Sequence, residues 1–76
     1  MNQNITEVRV AEICEANALS ETDIYNLYID ARIDLRKKHS GQECVDKAIE
    51  KVGNRLQIDM AESALFYRFL YKKYAP

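Results

Sequence analysis

Tryptophan is missing from this 76-residue chain, proline occurs once and last, and glycine, cysteine and histidine number two, two and one. Each scarcity excludes something. With no proline before Pro76, nothing in the interior forces a helix to break. With only Gly41 and Gly53, far apart, there is no glycine-rich loop to cradle a phosphate. Cys14, Cys44 and His39 cannot assemble a CxxC redox pair or a tetrahedral metal centre, so no metal and no cofactor are expected. Also missing are an apolar run near the ~20 residues that cross a bilayer and, after Met1, the basic and apolar regions of a secretion signal. No membrane association is expected, and the expected address is the cytoplasm. In that reducing compartment the two thiols are expected to be buried and free, a Cys14–Cys44 bridge being the minor alternative if the first and third helices touch.

What is present is helix-forming. Hydrophobic residues make up 47% of the chain and charged residues 30%, which fits one small globular domain rather than a disordered tail. Four times a cap-type residue is followed three positions later by an acid, ahead of apolar residues at helical spacing: Asn4 to Glu7, Ser20 to Asp23, Ser40 to Glu43 and Asp59 to Glu62. Such a side chain satisfies an orphan N–H, and the acid bonds back against the positive dipole end. The expected fold is therefore all-α, a compact single domain over residues 1–76 of four short helices in two helical hairpins, joined by turns of two to five residues.

The expected first helix runs from Ile5 to about Asn17, with Val10, Ala11, Ile13, Cys14 and Ala18 on its apolar side and Asn17 as its left-handed stop. The second starts at Ser20, stapled by Leu19 and Ile24, and ends where Arg36, Lys37, Lys38 and His39 meet the negative dipole end before Gly41. The third spans about Gln42 to Asn54, with Val45, Ala48, Ile49, Val52 and Leu56 as one stripe. Gly53 there implies a close contact or fraying, since glycine costs a helix ~1 kcal/mol. The fourth spans roughly Met60 to Tyr74.

Catalysis is not expected. His39 lies alone in a basic helix terminus, and Ser20, Ser40 and Asp59 are used as caps, so no acceptor sits beside a nucleophile and no small-molecule substrate is implied. Charge is more informative in its layout than in its total of −1: residues 1–31 carry a net −5 and residues 32–76 a net +4. Lys47, Lys51 and Arg55 form an i, i+4, i+8 row that could meet a phosphate backbone, while Arg68, Lys72 and Lys73 cluster on the fourth helix.

A helix-turn-helix can be laid over residues 10–25, but with Asn17 at the turn position Asp23 falls where a buried residue belongs. Its would-be recognition helix also opens with Glu21 and Asp23, which repel phosphates. DNA binding is thus the alternative expectation.

The stronger signal is surplus apolar surface. On the second helix Ile24, Leu27, Tyr28, Ala31 and Leu35 make a full core stripe, yet Tyr25, Ile29 and Ile33 make another beside Arg32 and Arg36. On the fourth, Leu65, Phe66, Phe69 and Leu70 form one stripe, and Met60, Ala64, Tyr67, Tyr71 and Tyr74 a second. A central helix packed on two sides would show this pattern, but so would a partner-binding face rich in Tyr and Arg. The expectation is a small adaptor, inhibitor or regulatory subunit that binds a protein partner or itself as a homodimer, through Tyr25, Ile29, Arg32, Ile33, Arg36, Tyr67, Tyr71 and Tyr74. A third possibility is a self-associating structural subunit.

Overall fold

The computed structural model describes residues 4–76. The reading of the chain's first residues as lacking a leader lies partly outside them. Four helices follow in order: α1 Glu7–Asn17, α2 Glu21–Leu35, α3 Gly41–Leu56 and α4 Met60–Tyr74. Their connections are three to five residues long, the lengths that keep successive helices in contact. None of these helices is long and apolar enough to cross a membrane.

Local sequence accounts for the ends. The cap of α1 is Thr6 rather than Asn4: its hydroxyl accepts from the Arg9 N–H. Ser20 and Asp23 form a reciprocal capping box on α2, and Asp59 caps α4 by accepting from the Glu62 N–H at 2.7 Å. Ser40 makes no side-chain cap bond. Instead Gly41 turns into α3 at φ +58°, and His39 Nδ1 pairs with Glu43. The left-handed residue that ends α1 is Ala18, not Asn17, and α3 runs two residues past Asn54 to end at a left-handed Gln57. Both ends are Schellman turns, with Leu19 N–H donating to Cys14 O and Ile58 N–H to Gly53 O. Asn17 is used differently: its amide donates to Ile13 O and reaches Leu56 O, tying α1 to the end of α3.

The core is one cluster. α3 contributes Ala48, Ile49, Val52 and Leu56, with Cys44 buried in place of the half-buried Val45. α2 contributes Ile24, Tyr28 and Ala31, with Leu27 and Leu35 half-buried at its edge. α4 buries Ser63, Phe66, Tyr67 and Leu70, an i, i+3, i+4, i+7 set that cuts across both expected stripes. Leu65 and Phe69, expected inside, are only half-buried, and Tyr67, expected on a partner face, is 8% exposed. α1 buries only Val10 and Ile13; Ala11 and Ala18 face water.

The tightest contact is α2 against α3, followed by α3 against α4, so the two hairpins merge into a three-helix centre with α1 leaning on it. Gly53 is the close approach its cost implied, since a Cβ there would lie 2.9 Å from Ser63 Cβ. Both cysteines are free: Cys44 is buried with Sγ donating to Arg32 O, while Cys14 is half-buried.

Candidate functional site

The side of the molecule shared by α2 and α4 gathers most of the residues named from sequence, but in distinct roles. Tyr67 is a core residue whose hydroxyl faces the edge and accepts from Arg32 Nη1 at 2.7 Å. The same guanidinium lies 5.8 Å from the Tyr71 ring centroid, and the Tyr67 and Tyr71 rings are 5.6 Å apart. A cation held by a phenol oxygen and an aromatic face is fixed in direction as well as place. Burial alone would weaken the Arg32 charge; Tyr67 and Tyr71 outweigh that and leave its pKa raised. Burial pushes the Tyr67 hydroxyl up too, with Arg32 opposing.

Tyr71 is 45% exposed, and Ile33, which follows Arg32 on α2, is 52% exposed. Ile29, Arg32, Ile33, Arg36, Gly41 and Cys44 line a shallow recess of about 440 Å³ between α2 and the start of α3. Two isoleucines and two arginines line it, of which Ile33 and Arg36 are exposed. At the far end of the face Tyr25 and Tyr74 are half-buried against each other, ring centroids 5.6 Å apart. Tyr74 donates to Glu21, which also pairs with Lys73 at 2.8 Å and holds its charge, raising its pKa. These two tyrosines close the α2–α4 seam rather than stand free of it.

Lys47, Lys51 and Arg55 are all exposed on α3, and none has an ion-pair partner within reach among the described residues. Carboxylates surround the row. Asp30 and Asp34 of α2 line a recess with Lys51 and Arg55, and Asp46 and Glu50 alternate with the bases along α3. α2, the would-be recognition helix, buries Ile24 and Tyr28 and shows water Thr22, Asp23, Asn26 and Asp30 over its first turns.

Two features were not legible in the sequence. Arg9 makes a two-pronged bond to Glu62, at 2.7 and 2.8 Å, that clamps α1 to the start of α4. It holds the Glu62 carboxyl below its ordinary pKa. A second recess of about 600 Å³ lies between the Asn4–Thr6 segment and the outer side of α4, with Ile5, Leu65 and Phe69 in its lining. The only prior signal was the Arg68, Lys72 and Lys73 cluster, because the covering segment lies outside any helix and has no periodicity to read.

No group of three or more His, Cys, Asp or Glu side chains that could hold a metal occurs among the described residues. Burial, with Glu21 nearby, raises the pKa of the Cys14 thiol and disfavours its thiolate. No family model, curated protein or solved structure matches this chain.

Proposed function

We propose that this protein is a small interaction module, an adaptor or regulatory subunit, that binds another protein through the α2–α4 face centred on Ile33 and Tyr71. The observation that carries this reading is Arg32, fixed between the Tyr67 hydroxyl and the Tyr71 ring, with Tyr71 and the next residue along α2, Ile33, exposed. Tyrosine and arginine held in place before binding lose little side-chain freedom on docking and are the residue types that dominate interface energetics. The recess between α2 and α3 has room for one large apolar side chain, and Arg32 and Arg36 in its lining suit an acidic neighbour of that anchor.

The test is affinity capture from the source cell's extract with wild type and Ile33→Asp/Tyr71→Ala side by side. A partner retained by wild type and lost by the variant supports the face. An identical set of captured proteins sinks it.

DNA binding through Lys47, Lys51 and Arg55 is the second reading, favoured by the exposure of all three. It requires retardation of a short duplex that weakens steeply with salt and disappears when the three are reversed to Glu. The carboxylates alongside the row make it the weaker of the two.

A further inference from the structure

We infer that the groove between the Asn4–Thr6 segment and α4 is filled by a second copy of this chain, in a two-fold dimer where the outer face of each α1 lies on the outer face of the other copy's α4. The surface differs from the α2–α4 face and does not depend on it.

The groove is lined by apolar Ile5, Leu65 and Phe69 and by basic Arg68, Lys72 and Lys73, with Asn4 and Glu7 at its α1 side. Leu65 and Phe69 stand outside the buried set of α4, and Ile5 covers them only in part. Of the lining cations Lys73 is bound to Glu21, whereas Arg68 and Lys72 have no ion-pair partner among the described residues.

The outer face of α1 has the opposite character. Val8 is 72% exposed, more than any other large apolar side chain described, and Glu12 and Glu15 share its face at i+4 and i+7. One base borders that face: Arg9 is bonded to Glu62 and also pairs with Glu12 at 3.6 Å, while Glu15 has no ion-pair partner among the described residues. α1 therefore offers an apolar knob among acids, and α4 an apolar groove among bases.

Glu7 lines the groove and Val8 follows it in α1, so the knob starts one residue along the chain from the hole. A patch holding both a knob and its matching hole is self-complementary, which is the condition for a two-fold interface. Its size is adequate. A stable dimer buries about 800 Å² per partner, roughly a seventh of the 5378 Å² surface. The outer faces of helices about 16 and 22 Å long can supply that. A chain this short also has a small core, so covering Val8, Leu65 and Phe69 adds apolar burial where little is otherwise available.

The experiment is solution mass against concentration for the full chain, by light scattering or sedimentation equilibrium. Wild type is expected to reach dimer mass. Val8→Asp, Arg68→Glu/Lys72→Glu and Glu12→Lys/Glu15→Lys should each weaken association about tenfold or more. An equimolar mixture of the two charge-reversed proteins should regain dimer mass, because each contact then again pairs acid with base. All of these positions are exposed, and thermal melts on each variant confirm that folding is retained. Monomer at every concentration up to about 1 mM overturns the inference. So does a dimer indifferent to these changes, including one lost only in Ile33→Asp, or a mixture that stays monomeric.

Discussion

The Tyr28 hydroxyl lies 2.9 Å from the Ser63 hydroxyl and 3.1 Å from the Ser63 carbonyl oxygen, and Ser63 in turn donates to Ile49 O at 2.7 Å. Ser63 has one hydroxyl proton, and Ile49 O can only accept, so Tyr28 is the donor toward Ser63. Three helices are joined through one small side chain, in a core where every buried side-chain polar atom described has a partner. A buried polar group costs little when it is fully bonded, and only a helix register that lets Ser63 meet Tyr28 and Ile49 together achieves that.

Removing the Tyr28 hydroxyl should therefore be mild. In Tyr28→Phe the ring stays against Phe66 and Tyr67, and Ser63 keeps its bond to Ile49, so no buried donor is orphaned. The expected loss is ~0.5–1.5 kcal/mol. Tyr28→Ala empties a fully buried site and should cost ~3–5 kcal/mol, as aromatic truncations do. Denaturant melts of the two variants separate the bond from the packing.

Alkali should unfold the protein through the same group. Burial pushes the Tyr28 hydroxyl up to about 12, with the Ser63 bond opposing, from an ordinary value of 10. Between those values the unfolded chain gives up the proton and the folded one keeps it. The contribution is thus complete below pH 10 and is lost as pH rises through about 12. Stability measured across that window should fall, and the fall should be shallower in Tyr28→Phe. Equal slopes would place the alkaline sensitivity in other groups.

Gly53 should resist a change that helix propensity favours. Alanine gains a helix ~1 kcal/mol over glycine in isolation. Here the added Cβ would lie 2.9 Å from Ser63 Cβ and 3.1 Å from Ser63 Oγ. Ser63 is fully buried and bonded on two sides, so it cannot give way without moving α4. Gly53→Ala is expected to be net destabilising by ~1–3 kcal/mol, read from a thermal or urea melt. A stabilised variant would mean that α3 and α4 separate easily at this point.

The two serine caps should behave differently. Ser20→Ala removes the bond to the Asp23 N–H and half of a capping box, a loss of ~0.5–2 kcal/mol. Ser40→Ala should be close to neutral, because that side chain caps nothing. Gly41→Ala, two residues ahead of Glu43, should cost ~1 kcal/mol or more despite open space around it, since φ is +58°. Equal losses from the two serines would mean that Ser40 does cap α3.

That contrast shows what the sequence carried. Cap spacing located all four helices, and the α4 bounds, Met60–Tyr74, agree with those expected, because capping and periodicity are local. It put the first cap at Asn4 where Thr6 serves, because several polar residues near a helix start can do so, and it placed Ser40 at the cap position of α3 but could not show that its side chain makes no cap bond. The face was harder to read. Tyr67 and Tyr71 are four residues apart with the same side chain, yet one is buried and the other exposed, although α2 runs alongside α4 past both as far as the Tyr25–Tyr74 contact. Helical spacing reports which residues share a side and is silent on which of them the neighbouring helix covers.

Tyr67 and Tyr71 therefore make the sharpest paired test of the proposed face. Tyr67→Ala should destabilise by ~3–5 kcal/mol: the ring is 8% exposed, packs 5.2 Å from Tyr28, and its loss frees Arg32 from its bond. Tyr67→Phe keeps the ring and removes only the acceptor, so the fold should lose ~1 kcal/mol while Arg32 is no longer held toward Tyr71. Tyr71→Ala, at an exposed position, should leave a cooperative fold within about 1 kcal/mol of wild type. If Ile33, Tyr71 and a fixed Arg32 form the binding centre, Tyr71→Ala and Tyr67→Phe should both lose the captured partner while staying folded at the assay temperature. A Tyr71→Ala protein that melts like Tyr67→Ala would make Tyr71 a core residue and remove the centre of the proposed face. One that keeps both its stability and its partner would move the binding surface elsewhere.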